Sequence, residues 1–503
     1  MVRDFAEHRC GARYHLYPVA RSDAHFLCPC IVKRYNHCIT MQYTLALFSS
    51  RTMRRSSPLF IIMLGLLSAL PPFGTDAGLP GLPSLQATFS VDAVTATHTL
   101  TLFLLGFSLG PVLFGPLSDQ FGRKPVMLFG VALFTVAGLG CAKAPSMDAL
   151  LALRVVQGVG AGAAAALPAA IVRDVFHGDA ALSRQSYVAL VNAVAPLIAP
   201  LAGAALLALG DWRSIYQALA VVGASLFFLC AFGYRETAPA RGTTSRGSGV
   251  LQAALLSYKR VLSNPRYVLS TAMLASTFGT MFAYITGSSS VFMTMSGASS
   301  TAYGALFALT ACGTICGATA NGRLAARYGA GSLLAVGVTG NLIAGGLLLG
   351  AGCLGVHSIA VVAACVVASN FSAGIVMPNV TYEALKEVPT VAGSASALQR
   401  ALQMVVGAAS GALLGVFSGN RLVVMAAVMT VFAAITLCLF LLRRGSESTP
   451  LSASAGHPPT TLDCDRSRDT ASDRLPELTV AVEPAPRKAT AEPVGANTGN
   501  LHE

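Results

Sequence analysis

Residues 115–128 read GPLSDQFGRKPVML and set an acid, two bases and two glycines between two apolar runs. TLFLLGFSLGPVLF (101–114) precedes the stretch and FGVALFTVAGLG (129–140) follows it. With the apolar residues beyond them, the two runs approach the roughly 20 residues that a helix needs to cross a bilayer. A short charged link between two such runs reads as a turn at a membrane surface. It makes the chain a polytopic membrane protein.

Composition agrees. The 503 residues are 54% hydrophobic and only 11% charged, with mean hydropathy +0.62. Soluble domains carry about a quarter charged residues, which excludes one large soluble protein. The net charge of +12 does not indicate nucleic acid. Lysines and arginines stand singly or in pairs between apolar runs, and no aromatic stacking platform accompanies them. Of twelve cysteines, Cys10, Cys28, Cys30 and Cys38 lie near four histidines in the first 40 residues. Their spacing fits no zinc pattern, and no signal peptide is apparent. Residues 1–52 are expected to be an upstream extension, non-native or disordered, with Met53 as the working start. Cysteines farther along fall in apolar runs and read as packing residues.

Twelve helical spans are expected, near 57–76, 93–114, 124–142, 148–170, 186–208, 213–233, 268–290, 302–321, 331–353, 358–380, 393–415 and 421–442. Within lipid every backbone polar group must be satisfied internally, so each span is a helix. Their density of Gly and Ala, as in VQGVGAGAAAALPAA (156–170), permits close helix approach. Positive residues gather on alternate links. Arg123, Lys124, Arg235, Lys259, Arg260 and Arg443 fall on one side, and only Lys143, Arg213 and Arg421 on the other. The positive-inside rule then puts both termini in the cytoplasm. The chain divides into a bundle over 53–233, a cytoplasmic loop over 234–267 and a second bundle over 268–443. The loop turns weakly amphipathic near 251–267, as a helix at the interface would. A tail over 444–503 is expected to be disordered from its Ser, Thr, Pro and charge content. GPLSDQFG (115–122) aligns with GRLAARYG (322–329) at matching places in the two halves. Internal repeats of this kind mark secondary transporters.

The opening stretch resembles the signature loop of the major facilitator superfamily. More narrowly, the chain is similar to the Bcr/CflA group of bacterial drug:proton antiporters. GTDAGLPGLPSL (74–85), FLLGFSLGPVLFGPLSDQFGRKPV (103–126), LRVVQGVGAG (153–162), APLIAPLAGA (195–204) and DWRSIYQALA (211–220) carry the resemblance in the first half. FAYITGS (282–288) and GSASALQ (393–399) carry it more loosely in the second. The resemblance implies an all-α fold of two pseudo-symmetric six-helix bundles in the bacterial inner membrane. It implies proton-driven export of small amphipathic drugs or metabolites, of the chloramphenicol and bicyclomycin type. Protons, the substrate and the lipid bilayer are the expected partners, and a monomer is expected.

Site residues follow from both sources. Gly115 and Gly122 allow close backbone contact or positive φ in the turn. Asp119 can bond a neighbouring helix N-terminus and pair with an arginine, while Arg123 and Lys124 pin the turn to the inner surface. Together they read as a gating latch between halves; a plain topogenic turn is the alternative. Asp76 ends span one, where a carboxylate near lipid is a functional candidate able to bind and release protons. A helix-end acid at the water boundary is the other reading. Arg154, charged inside span four, needs partners. The resemblance associates it with proton coupling, and Gln157, one turn on, belongs with it. Pro196 and Pro200 bend span five and Gly203 thins it, in a motif that the resemblance links to antiport. Ala195 and Ala204 depart from the commoner glycines. Phe282, Tyr284, Asn379 and Gln403 are expected to line a substrate cavity. GSSSV (287–291) departs from the group's usual GSPFV, which leaves the substrate range undetermined. His98 reads as a packing or titrating residue, and Arg400 has no evident partner.

The spans hold no phosphate-binding loop, no nucleophile–His–acid set and no metal-ligand pair. Neither an enzyme nor a cofactor or metal is therefore expected. A proton symporter, an exporter of one native metabolite and a membrane sensor are the competing readings.

Overall fold

The structure, a computed structural model, describes residues 53, 57–238, 249–417 and 419–448. The expectations for 1–52 and for the tail beyond 448 lie outside the described residues. The first half comprises α1 (Pro58–Asp76), α2 (Leu82–Phe89), α3 (Ala93–Phe121), α4 (Arg123–Ala142), α5 (Met147–Ala165), α6 (Pro168–Val175), α7 (Gly178–Leu209) and α8 (Trp212–Gly233). A connecting helix α9 (Gly249–Leu262) follows. The second half comprises α10 (Pro265–Ser289), α11 (Ser300–Tyr328), α12 (Ala330–Cys353), α13 (Ile359–Lys386), α14 (Ala392–Val416) and α15 (Arg421–Ser448). Among the described residues, eleven helical segments are long and apolar enough to cross a membrane. The remaining long helix, α14, has 25 residues, and Ser394, Ser396, Gln399, Arg400 and Gln403 lower its apolarity.

Caps fix many helix starts. Ser57, Asp92, Ser146 and Ser299 each accept a backbone N–H three residues on. Pro58, Pro168 and Pro265 occupy first turns, where a missing N–H costs nothing. The stretch GPLSDQF is helical and completes α3, so the expected eight-residue turn shrinks to Gly122 alone. Its φ of +100° breaks the chain between α3 and α4. Gly329, with φ of +76°, does the same between α11 and α12, at the aligned end of the repeated octamer. Pro116 lies inside α3 and leaves the Val112 carbonyl without its helical donor. The Tyr258 hydroxyl of α9 donates to that carbonyl at 2.9 Å, and the helix runs on.

Small residues decide how the helices meet. Gly106 and Gly110 of α3 face Gly158 and Gly162 of α5. A Cβ on Gly158 would fall onto the Phe103 carbonyl, and one on Gly106 onto the Val155 carbonyl. Helix backbones approach so closely only where no side chain intervenes. The two halves meet through α3 against α14 and α7 against α11. The far end, opposite the Gly122 turn, is closed. There the turn Leu79–Gly81 meets α10 and α11, and Val94 of α3 fills the space beside Gly415 of α14. At the Gly122 end, Gly115 and Gly393 border open space and Ser396 and Arg400 are exposed. Gly115 therefore makes no close contact and has no positive φ, contrary to expectation. Large apolar side chains such as Leu59, Phe129, Val222 and Ile343 are exposed on the outer helix faces, where lipid would cover them.

Gly158→Ala should force α3 and α5 apart and lower stability by about 1–3 kcal/mol. Gly331→Ala, in open space at the start of α12, should leave the melting temperature unchanged or slightly raised. Thermal unfolding of both purified variants checks the contrast.

Candidate functional site

The site grows from the end of α1. Asp76 is its last residue, only 4% exposed, and its Oδ1 accepts the Thr75 hydroxyl at 2.8 Å. That hydroxyl also lies 3.2 Å from the carbonyls of both Pro71 and Pro72. It can donate to an ionised carboxylate. It can equally turn to a proline carbonyl and accept the proton of a neutral carboxyl. Thr75 thus provides Asp76 with a partner in either protonation state.

Arg154 on α5 is 1% exposed. Its Nη2 donates to the Gly74 carbonyl at 2.8 Å, its Nε to the Thr99 carbonyl at 3.0 Å and its Nη1 to Gln157 Oε1 at 2.6 Å. Gly74 is within the last turn of α1, where carbonyls lack helical donors. The guanidinium also lies 4.3 Å from the Phe103 ring centroid and 5.6 Å from that of Tyr216. Arg154 therefore binds the backbone beside Asp76, not its carboxylate. Gly203 on α7 permits the adjoining contact, since a Cβ there would fall onto the Ala77 carbonyl. Pro196 and Pro200 lie within the continuous helix α7, and the Pro200 carbonyl faces Gly304 of α11.

Across the junction, Tyr284 and Tyr303 lie within electrostatic range of Asp76. The Tyr284 hydroxyl bonds Thr310 at 2.8 Å and its ring stacks on Phe307. The Tyr303 hydroxyl bonds Ser288 at 2.8 Å. Phe282 is buried and stacks on the half-buried Phe278. Gln403 is 8% exposed on α14. Asn379 pairs with Asn321 at 2.7 Å and lines a cavity of about 170 Å³ with Glu383, Arg443 and Arg444 at the Gly122 end of the second half. It is not brought together with the Asp76 group. His98 is half-buried on α3, within electrostatic range of Asp92.

The charged turn is a second constellation. Arg123 bonds Asp119 at 2.6 Å, Asp174 at 2.9 Å and the Ser118 hydroxyl at 2.6 Å. Glu236, just past α8, accepts the Arg123 and Lys124 backbone N–H groups at 2.9 Å each. Lys124 Nζ returns to the last turns of α8, donating to the Ala231 and Tyr234 carbonyls at 2.7 Å each. The start of α4 and the end of α8 cap one another. A Cβ on Gly122 would sit 2.6 Å from Glu236 Oε2, so the glycine also makes room for this carboxylate. These bonds join α3, α4, α5–α6 and α8 within the first half. Asp119, near the end of α3, pairs with an arginine that is the first residue of the neighbouring helix α4. Thr75, Asp174 and Glu236 were not singled out from sequence. Glu236 directly follows the sixth span in YRET, an acid among basic loop residues, and this was the available signal.

A family model described as Major Facilitator Superfamily matches residues 64–412. The bicyclomycin resistance protein homolog of Haemophilus influenzae is 30% identical over 363 residues, which cover 72% of this chain and 89% of that protein. A chloramphenicol resistance protein of Pseudomonas aeruginosa is 31% identical over 290 residues, 58% of this chain and 67% of that one. Among solved structures, the xylose transporter XylE of Escherichia coli in a partially occluded inward-open conformation aligns with TM-score 0.59 at 16% identity. That alignment covers 76% of this chain and 97% of XylE.

Burial works against the Glu236 carboxylate, but four backbone N–H bonds outweigh it and hold the carboxyl below its ordinary 4.5. Its stabilising contribution is present above 4.5 and is lost as pH falls through the lower folded value. Glu236→Gln should melt below wild type at pH 7, with the gap closing under acid; melting curves across pH check this.

Proposed function

Because the chain belongs to the Major Facilitator Superfamily, and within it to the Bcr/CflA group, we propose that it exports small amphipathic compounds in exchange for protons. Asp76 is the proton carrier in this reading. The observation that carries it is a carboxyl 4% exposed, at the junction of the two halves, whose hydrogen-bond partner among the described residues is the Thr75 hydroxyl rather than a cation. A carboxyl with a fixed cation would stay ionised; this one has a partner suited to both states.

The Gly122 end, with Arg123, Lys124, Lys259 and Arg260, is the cytoplasmic one by the positive-inside rule, and the membrane is the bacterial inner membrane. The conformation described is then closed to the outside and open to the inside. In the cycle, a proton arriving from outside neutralises Asp76 and lets the halves close over it. Opening inward releases the proton and admits the compound, which leaves when the halves rock back. Arg154 keeps the end of α1 in place throughout, so that protonation changes the junction and not the helix position. Phe282, Tyr284, Gln157 and Gln403 are the proposed substrate-cavity group. The bend at Pro196 and Pro200 lets α7 slide on α11. Asp119, Arg123 and Glu236 stiffen the first half so that it moves as one body.

In everted membrane vesicles with an imposed pH gradient, chloramphenicol-like and other amphipathic compounds should dissipate ΔpH in wild type. Asp76→Asn should lower that response by about tenfold or more, as expected on removing an essential proton carrier. An equal response from both proteins would sink Asp76 as the carrier. Accumulation of compound driven by inward protons in right-side-out vesicles would favour symport.

A further inference from the structure

Arg400 belongs to none of the networks above. It lies eight residues into α14, about 12 Å along the axis from the Gly122 end. Met404, Gly407 and Gly411 share its helix face. All three are buried. A Cβ on Gly407 would touch Phe278 of α10 and Leu104 of α3, and one on Gly411 would approach Thr101 and Thr286. That face therefore looks into the junction between halves. The opposite face carries Leu402, Val405 and Val416, all exposed and suited to lipid.

Arg400 is reached by solvent, as are Ser396 and Gly393 one and two turns nearer the open end. An exposed residue about two turns into α14, on the face that farther along packs against α10 and α3, stands on the wall of a cleft between the halves. It makes no hydrogen bond or ion pair with any described residue. Of the acids at the Gly122 end of the flanking helices, Asp119 on α3 pairs with Arg123 and Glu383 on α13 with Arg443, and Glu387 lies just past the end of α13. The nearby charges on α9 and at the start of α10 are Lys259, Arg260 and Arg266, which add positive potential.

An arginine keeps its charge in such a place, and holding it there without a partner is costly. Its planar fork of donors fits a carboxylate or similar planar oxyanion in two-point contact. The aromatic pair Phe278–Phe282 begins at a level about two turns deeper, on the helix facing α14. We propose that Arg400 anchors the anionic group of the transported compound in the cleft, with the apolar body directed toward Phe278. The compounds carried would then include amphipathic aryl carboxylates. This inference rests on the transport reading, whose substrates it narrows.

The test is equilibrium binding by titration calorimetry to the purified full chain at pH 7, with 1-naphthylacetate and its neutral isostere 1-naphthylacetamide. Wild type should prefer the acid by about tenfold, a modest value for a charge-assisted contact open to water. Arg400→Gln should erase that preference and leave amide binding unchanged, while Arg400→Lys should keep part of it. Equal binding of both probes by wild type, or binding of neither, would overturn the proposal. So would a carboxylate preference that survives in Arg400→Gln. A parallel loss of both probes would instead assign Arg400 a packing role. No proton gradient enters this measurement. It can therefore succeed where exchange through Asp76 fails, and fail where a neutral compound still exchanges.

Discussion

A guanidinium enclosed among helices cannot shed its charge, so the protein around it must supply every partner. Around Arg154 it offers two backbone carbonyls, one amide oxygen and two aromatic faces. Those groups come from α1, α3, α5 and α8. One side chain thereby fixes the relative positions of four helices near the far end. The choice of carbonyls matters as much as their number. By bonding Gly74 rather than a carboxylate, Arg154 holds the end of α1 without committing Asp76 to the ionised state. An Arg154–Asp76 ion pair would have given firmer electrostatics and a carboxyl that could not easily take a proton.

This arrangement depends on close packing elsewhere. The Gly106–Gly158 contacts bring α3 and α5 together, which carries the Thr99 carbonyl to the guanidinium. Gly203 lets α7 lie on the chain just past Asp76. Where the two halves meet, glycines recur at Gly304, Gly407, Gly411 and Gly415. Smooth surfaces of this kind let helices slide, because no large side chain must be withdrawn first. The charged turn has the opposite character. Its capping bonds are many, directional and confined to the first half, so they stiffen that half and leave the junction free to move.

Much of this was legible in the sequence because it depends on local pattern. Apolar run length announced the spans. The octamer repeat marked corresponding links in the two halves. What stayed hidden depends on partners far apart in the chain. Glu236 caps Arg123 across 113 residues, and Tyr258 completes the ladder broken by Pro116 from 146 residues away from Val112. No periodicity reports such pairings. Gly115 was misread for a related reason: LSDQF looks like a polar turn, yet nothing in it stops a helix once Tyr258 has answered Pro116. Asn379 was expected in a central cavity because polar residues in spans suggest function, but an asparagine can also be satisfied by another asparagine within its own half.

The two conspicuous arginines of the junction make the contrast sharper. Arg154 and Arg400 look equivalent in a sequence, each a lone cation in a span. One is sealed with three hydrogen-bond acceptors; the other is exposed with none among the described residues. Bonds to three helices make the first a fixed part of the frame. The second has its bonding capacity unused by any described residue. When the halves rock and the cleft narrows, water must leave, and the cost of stripping a bare guanidinium rises. An anion bound beside Arg400 would offset that cost and favour closure. An empty cleft would resist it, which ties the movement of the halves to the presence of cargo.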